Sequence, residues 1–268
     1  MSGATAELLR RGVHALRRSA FWWTLGILLL AATSVAFWPS LEGTESLNDL
    51  METSPELMEA FGVQDMSTAS GYLDAQMYAL MLPLLLSGLA IASASGITAG
   101  DEDAGRLELL HALPVKRETV WLTRLGAALL VVAMVAALTA AAVAASIGPF
   151  SLDGITAGRV LAATFACGLL AAFHAAVAYA VAGLGGSRGV SAGVAVAVLF
   201  TGYVASYLLP LSDALEGFRR ISPWYWAIGS QPLSEGISGL RLLPLVVSFA
   251  ALVVVGTLAI GRRDIRSA

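Results

Sequence analysis

The chain of 268 residues has few of the side chains that carry chemistry in enzymes and metal proteins. It has one cysteine (Cys167), three histidines and one lysine (Lys116). A single cysteine forms no disulfide framework and no cysteine-based metal cluster. A phosphate-binding loop needs a lysine directly after a glycine-rich turn, whereas Lys116 follows Val115. The sequence therefore predicts no metal site, no cofactor and no Walker-type nucleotide site in this chain.

Catalytic motifs are missing as well. Neither H-E-x-x-H nor G-x-S-x-G occurs, so the chain is not expected to be an enzyme. The chain is not expected to contain a carboxylate relay for protons or sodium, because acidic residues are nearly absent from the apolar runs. His174 is the single ionisable side chain deep in such a run. It is either a proton or substrate site or a neutral imidazole that is hydrogen-bonded to a neighbouring helix.

Apolar sequence is what the chain has in abundance. Of its 268 residues 57% are hydrophobic and 13% are charged, and the mean hydropathy is +0.76. Soluble domains have roughly 25% charged residues. Six runs reach the length of about 17–25 residues that crosses a bilayer as a helix. The sequence therefore predicts an all-α, polytopic membrane protein with one transmembrane domain, residues 1–268. The predicted spans are 21–38, 76–97, 122–147, 160–183, 190–209 and 242–260.

The basic residues predict the orientation of these spans. If both termini are placed in the cytoplasm, twelve basic residues lie inside and four lie outside. An excess of lysine and arginine is typical of the cytoplasmic segments of membrane proteins. The first outer segment, 39–75, has eight acidic residues and no lysine or arginine. The expected location is the plasma membrane of a prokaryote.

The first twenty residues predict a helix before the first span. Leu9, Val13 and Leu16 fall on helical spacing among arginines, a pattern typical of a helix in the cytoplasmic membrane interface. A solvated basic tail is the alternative. The segment also resembles a signal peptide with a small-x-small cleavage site. That interpretation is disfavoured because the apolar run continues through Trp38 and cleavage would leave five spans.

The outer segments show signs of short helices. The sequence Ser-Pro-Glu at 54–56 is a typical helix start. The other long outer segment, 210–241, contains Trp224, Tyr225 and Trp226, and such residues are enriched at the headgroup level of membranes. We expect this segment to fold back as short interfacial helices. A substrate-binding aromatic cluster is the alternative.

The fifth span has small residues at four-residue intervals. Gly189, Gly193 and Ala197 lie on one helical face, and small residues at this spacing let helix backbones approach each other in a membrane. We call this face the small-residue stripe. It is a candidate for helix packing within the chain or for a dimer contact with a second copy.

The most informative segment is the cytoplasmic loop 98–121 between the second and third spans. Its acidic residues 101–103 place negative charge where a helix would begin. Leu107 and Leu110 then lie on an apolar stripe at helical spacing, and Pro114 ends that helix. A helix of about ten residues is not stable alone in water. Its leucines must therefore pack on the membrane face, on the rest of the bundle or on a soluble partner.

This loop resembles that of ABC transporter permeases of the type-2 (ABC-2) exporter family. In that family an acidic pair, Gly-Thr-Leu-Glu-Leu-Leu and Pro-Val-x-Arg follow in this order. Here the matching sequences are Asp-Glu at 101–102, Gly-Arg-Leu-Glu-Leu-Leu at 105–110 and Pro-Val-Lys-Arg at 114–117. Arg106 departs from the usual small residue. The resemblance covers most of the chain and six spans, and the loop motif is its most specific part.

The resemblance implies the permease subunit of an ATP-driven exporter. Such a subunit pairs with a second copy or a homologue and sits on a separate ATPase subunit, which binds ATP and magnesium. The loop would carry a coupling helix that docks in the ATPase, and residues 1–20 would form a connecting helix. The compound exported would be hydrophobic or amphiphilic, such as a drug, an antibiotic or a lipid, and no nucleic acid is expected as a partner. The implied ATPase-coupling residues are Asp101, Glu102, Gly105, Leu107, Glu108, Leu109, Leu110, Leu113, Pro114 and Arg117.

Other classes of protein compete with this interpretation. A membrane scaffold that moves nothing would share the spans and the loop. A secondary transporter predicts inverted repeats and charges inside the membrane, and the sequence has neither. The loop itself has an alternative too, as a re-entrant turn packed on its own bundle.

Overall fold

The computed structural model describes residues 3–41, 66–105, 116–229 and 231–263, and within these ranges the chain forms helices and no strands. The α-helices are α1 (Gly3–Leu41), α2 (Ala69–Leu73), α3 (Met81–Ile97), α4 (Ala99–Asp103), α5 (Arg117–Ser146), α6 (Ala157–Gly183), α7 (Arg188–Tyr203), α8 (Pro223–Ala227) and α9 (Gly239–Arg262). They are joined by π-helical turns at Asp74–Tyr78 and Val204–Leu208 and by 3₁₀ helices at Leu209–Leu211 and Asp213–Ile221.

Six stretches of helix are long and apolar enough to cross a membrane. The predicted all-α fold with six spans is therefore confirmed. Each stretch overlaps one predicted span, and most extend beyond it because the helices continue into polar turns that hydropathy does not register. The cytoplasmic location of both termini stays a prediction. The six stretches are Gly3–Leu41, Ala69–Asp103, Arg117–Ser146, Ala157–Gly183, Arg188–Leu211 and Gly239–Arg262.

Helix α6 lies at the centre of the bundle and packs against α3, α5, α7 and α9. Its alanines at 171, 175, 178 and 182 are fully buried. These alanines lie on one face of the helix. Small side chains let neighbouring helices approach closely, and such packing stabilises helix association in lipid. In the most apolar window of α6, 67% of residues are buried, against 17% for α9. Helix α9 is therefore the most peripheral of the described spans.

Helices α6 and α9 cross at a pair of glycines. A Cβ atom added to Gly256 would lie 2.7 Å from ring carbons of Tyr179 and 3.0 Å from the Cα of Ala180. A Cβ atom on Gly183 would overlap the backbone of Gly256. Beside the crossing, the hydroxyls of Tyr179 and Thr257 are hydrogen-bonded at 2.7 Å. Because only glycine leaves room for this approach, the crossing fixes α9 to the core near the carboxyl end of α9.

Helix α1 runs without a break through most of the predicted interfacial helix and the first predicted span. Leu16 is buried, and Leu9 and Val13 pack against the core. Gly12 lies against Ala127 of α5. The apolar stripe of this segment thus packs on the bundle. Its position in the membrane interface stays a prediction.

Short helices at Leu209–Leu211, Asp213–Ile221 and Pro223–Ala227 fold back along α7. Their position in the membrane interface stays a prediction. Trp224 is fully buried, and its Nε1 donates a hydrogen bond to the Leu199 carbonyl oxygen at 3.0 Å. The hydroxyl of Ser222 donates to the Gly202 carbonyl oxygen at 2.6 Å. Trp224 thus fixes the segment to α7 and presents no surface to a substrate. The helix start predicted at 54–56 lies outside the described residues.

Candidate functional site

The predicted ATPase-coupling site is only partly described by the structure. Asp101, Glu102, Gly105 and Arg117 lie in the described part of the chain. We call residues 99–105 and 116–118 the loop root, since they are the two ends from which the loop leaves the bundle. The predicted site residues outside the described ranges are Leu107, Glu108, Leu109, Leu110, Leu113 and Pro114.

Helix α4 forms the first side of the loop root. Gly105 follows this helix in the left-handed conformation, with φ at +67°, and its N–H donates to the Glu102 carbonyl oxygen at 2.9 Å. Glycine in this conformation is typical of a helix end. Successive residues of a helix point about 100° apart. The three acidic side chains of α4, residues 101–103, therefore face three different neighbours.

Asp101 faces α5, the helix that follows the loop. Its carboxylate forms an ion pair with the guanidinium of Arg124, which also donates to the carbonyl oxygen of Ile97. The two side chains are 18% and 12% exposed. This pair holds the start of the third span against the end of the second.

Glu102 points into the bundle and binds the far end of the chain. Its two carboxylate oxygens accept hydrogen bonds from the two terminal nitrogens of Arg263, at 2.7 and 2.6 Å. The side chain of Glu102 is 1% exposed and that of Arg263 is 18% exposed. Such a bidentate pair is among the stronger hydrogen-bonded contacts in proteins and fixes its geometry in two directions.

Arg263 also binds α6 and the second side of the loop root. Its Nε donates to the carbonyl oxygen of Gly183 at 2.8 Å, and a terminal nitrogen donates to that of Ala182 at 3.1 Å. The backbone carbonyl of Arg263 accepts a hydrogen bond from Arg117 at 3.0 Å. Both ends of the loop therefore meet at Arg263, directly after α9.

Asp103 faces the start of α7. Its carboxylate accepts a hydrogen bond from the N–H of Arg188 at 2.8 Å, and the Ser187 hydroxyl caps the same helix through the N–H of Val190 at 3.4 Å. A carboxylate at a helix amino terminus stabilises it by about 0.3–1 kcal/mol. Asp103 thereby connects the loop root to the fifth span.

Asp101 and Asp103 thus connect the loop root to the third and fifth spans. Glu102 connects it, through Arg263, to the fourth and sixth spans. The sequence pattern predicts two of these acids, Asp101 and Glu102, as site residues but does not indicate their basic partners, Arg124 and Arg263. The available signal was that basic residues stand near the cytoplasmic ends of predicted spans. The side chain of Glu102 is buried, and its pair with Arg263 connects the loop root to the end of α9.

The small-residue stripe of the fifth span is open. Gly189, Gly193 and Ala197 are exposed, and a Cβ atom added to either glycine meets nothing within 4 Å. Helix α7 instead packs on the bundle through the buried residues Ser191 and Ala195. Within the described part of the chain the stripe therefore packs on no other helix.

His174 lies at the contact of α6 with α3. Its ring is fully buried, and Nδ1 is 3.1 Å from the hydroxyl of Ser87. This contact agrees with a hydrogen bond to a neighbouring helix. The proton-site and substrate-site interpretations remain untested.

A second polar cluster, which the sequence pattern does not predict, lies at the end of the bundle opposite the loop root. The buried carboxylate of Asp74 accepts hydrogen bonds from the N–H of Leu233 at 2.9 Å and from the N–H and hydroxyl of Ser234, both at 3.1 Å. Arg159 donates to the carbonyl oxygen of Leu233 at 3.2 Å. We call this cluster the outer latch, because it holds the outer segment onto the starts of the second and fourth spans.

Replacing Asp74 with alanine is expected to lower the free energy of unfolding by about 2–3 kcal/mol. The N–H groups of Leu233 and Ser234 would lose their acceptor, and an unpaired buried donor costs about 1–3 kcal/mol. Thermal unfolding of the purified protein in detergent measures the change. Asp153→Ala, which alters an exposed outer carboxylate, serves as the control. Equal unfolding temperatures for Asp74→Ala and Asp153→Ala would contradict a stabilising role of the outer latch.

An apolar groove of about 370 Å³ lies between α5 and α6. Ala136, Ala140 and Gly168 form part of its lining, together with Phe165. Thr164 is the one polar side chain in the lining, and its hydroxyl is 3.1 Å from that of Tyr78. Ligand pockets commonly have about 300–1,000 Å³. The groove can therefore hold an acyl chain or a small lipophilic compound.

Nearly all of the chain matches one known protein family. Residues 12–260 match the family model described as the C-terminal domain of the multidrug efflux system permease Rv1217c. No curated protein matches the chain. The matched range includes the loop root up to Glu118, the small-residue stripe and the outer latch.

Proposed function

Because the chain belongs to the family of the C-terminal domain of the multidrug efflux system permease Rv1217c, we propose that it is the permease subunit of an ATP-driven exporter of the ABC-2 type. The family and the six apolar helices make the chain a multi-pass membrane permease. The proposal adds that a separate ATPase docks on the loop 98–121 and moves the spans. The observation that carries it is the loop root, which connects this loop to four spans.

On this proposal a partner subunit supplies the energy for transport. The sequence has no glycine-rich turn followed by a lysine, so ATP and magnesium would be bound by the separate ATPase. The apolar stripe predicted in the loop would supply the anchor, and the flanking charges would orient it. Buried apolar anchors supply most of the binding energy of an interface, and complementary charges improve its specificity.

The proposed substrate is a hydrophobic or amphiphilic compound, such as a drug, an antibiotic or a lipid. The described spans expose many large apolar side chains, and the groove between α5 and α6 is lined almost entirely by apolar residues. The matching family takes its description from a multidrug efflux permease. The proposed location is the plasma membrane of a prokaryote.

The proposed assembly contains two permease chains that meet at the small-residue stripe. Gly193→Leu is expected to lower the dimer fraction about tenfold, because overpacking a close helix contact costs about 1–3 kcal/mol. Cross-linking in native membranes measures the dimer. Ala250→Leu adds the same side chain at an exposed position of α9 and is the control. An unchanged dimer fraction in Gly193→Leu would place the dimer contact elsewhere.

Co-expression with the ATPase encoded beside this chain tests the function. We expect the two subunits to purify together and to hydrolyse ATP, and the neighbouring reading frame to carry a Walker motif. A scaffold that moves nothing would bind no ATPase or would leave its hydrolysis uncoupled from transport. Absence of any complex with a Walker-type ATPase would overturn the proposal.

A further inference from the structure

Arg263 is the point where the loop root meets the last span. It directly follows α9, and its guanidinium holds the carboxylate of Glu102 at 2.7 and 2.6 Å. The same guanidinium binds the carbonyl oxygens of Gly183 and Ala182 at the end of α6. The other two acids of α4, Asp101 and Asp103, bind Arg124 and the start of α7. Among the described ion pairs, the one with Glu102 is the one that joins the loop to α9.

We propose that the Glu102–Arg263 pair is the joint through which movement of the loop is passed to α9. Both residues are positioning residues, since they act on the helix and touch no substrate. The inference rests on the proposed function, because it takes the loop as the place where the ATPase acts. It identifies α9 as the helix that moves, and Glu102 and Arg263 as the side chains that move it.

The packing of α9 makes this helix suited to such movement. Its buried residues are Leu245, Gly256 and Ile260, and only 17% of its most apolar window is buried, the lowest fraction of the six described spans. A helix that buries so few of its side chains can be displaced at small cost in free energy on either side of its crossing with α6. The other spans are packed more extensively, so a force at the loop root displaces them less.

The glycine crossing provides a pivot for α9. Gly256 touches α6 at Gly183, and the hydroxyls of Thr257 and Tyr179 bond beside it. At 1.5 Å per residue, Arg263 lies about 10 Å from Gly256 on one side, and the start of α9 at Gly239 lies about 26 Å away on the other. A displacement at Arg263 would therefore be enlarged between twofold and threefold at the outer end.

The outer end of α9 leads to the outer segment. The guanidinium of Arg241 lies over the ring of Tyr225, 5.3 Å from its centre, and α8 packs on α9. The outer latch follows in the same segment, where Asp74 binds Leu233. Movement of the outer end of α9 would therefore act on the segment that the outer latch holds.

The geometry of Arg263 explains why a positive charge alone does not suffice. A lysine keeps the charge but has no planar fork for Glu102 and no Nε–H for Gly183. We therefore expect Arg263→Lys to retain folding and co-purification with the ATPase, with ATP hydrolysis near the wild-type rate, while ATP-driven transport falls at least tenfold. Arg262→Lys, an exposed arginine one position earlier, is the matched control and should transport normally.

A distance measured between α9 and α6 tests directly whether the Glu102–Arg263 pair passes movement to α9. Spin labels at Leu240→Cys and Leu161→Cys, both exposed positions near the outer ends of α9 and α6, are placed in a Cys167→Ala background. In the wild-type complex the distance between the labels should shift on addition of a non-hydrolysable ATP analogue. In Arg263→Lys this shift should disappear. In the permease alone the distance distribution should broaden with Arg263→Lys or Glu102→Gln.

The outcomes separate the joint from the proposed function. Wild-type transport or an unchanged nucleotide-dependent shift in Arg263→Lys would overturn the joint. If the wild-type chain binds no ATPase, the proposed function fails. The permease alone still tests the joint, and an unchanged distance distribution in both variants would overturn it. If Glu102→Gln does not fold, Arg263→Lys keeps the test complete.

Discussion

Replacing Leu110 with arginine is expected to abolish the complex with the ATPase or its coupling to transport. Leu110 lies on the apolar stripe of the predicted coupling helix, and a charge placed against an apolar cleft without a partner carries a cost of several kcal/mol. A cost of about 4 kcal/mol weakens binding about 1,000-fold. Co-purification of the co-expressed subunits and ATP hydrolysis by the purified pair measure the effect.

Ala112→Arg is the matched control for this substitution. At about 100° per residue, Ala112 lies on the face of the predicted helix opposite the stripe of Leu107 and Leu110. The control adds the same charge to the same segment and should leave the complex intact. Stable assembly and unchanged ATP hydrolysis in Leu110→Arg would remove the docking claim. Loss of assembly in both variants would show that charge, and not the stripe, decides binding.

Replacing Gly256 with leucine is expected to separate α9 from α6 and to prevent accumulation of folded protein. A Cβ atom at this position lies 2.7 Å from the ring of Tyr179 and 3.0 Å from the Cα of Ala180. Because the second contact is backbone, a rotamer change cannot relieve it and the helices must move apart. Overpacking costs about 1–3 kcal/mol where side chains can adjust, and we expect at least the upper value here. The folded fraction after detergent extraction, measured by size-exclusion chromatography, reports the change.

Gly26→Leu provides the comparison for this prediction. Gly26 also lies within a spanning helix, but a Cβ atom there meets nothing within 4 Å. This variant should be extracted and should elute like the wild type. Equal folded fractions for the two variants would contradict the close crossing of α6 and α9.

The six spans could be predicted because hydropathy is a local property of the sequence. Each predicted span overlaps one helix of the structure. The pairing of Glu102 with Arg263 could not be predicted in this way, since 161 residues separate the two along the chain. Nothing in the spacing of charges says which arginine meets which acid. Only the packing of α9 on α6 brings Arg263 to the loop root.

Local patterns also do not say which element a side chain packs on. The apolar stripe of residues 9–16 predicts an interfacial helix, with a solvated basic tail as the alternative, and in the structure this stripe packs on the bundle. The aromatic residues of 210–241 fit a lipid interface and a substrate site, but Trp224 is buried against α7. The outer latch was missed because a lone acid at the edge of an apolar run carries no signal of its distant partners, Leu233 and Ser234.

Photo-cross-linking from position 110 tests the central claim most directly. A benzophenone amino acid at position 110 of the co-expressed complex reacts with whatever surrounds the predicted stripe. Docking of the coupling helix predicts a cross-linked product that contains the ATPase, and a much weaker product from position 112. Cross-links confined to lipid or to the chain itself would contradict the account and would favour a loop packed on its own bundle.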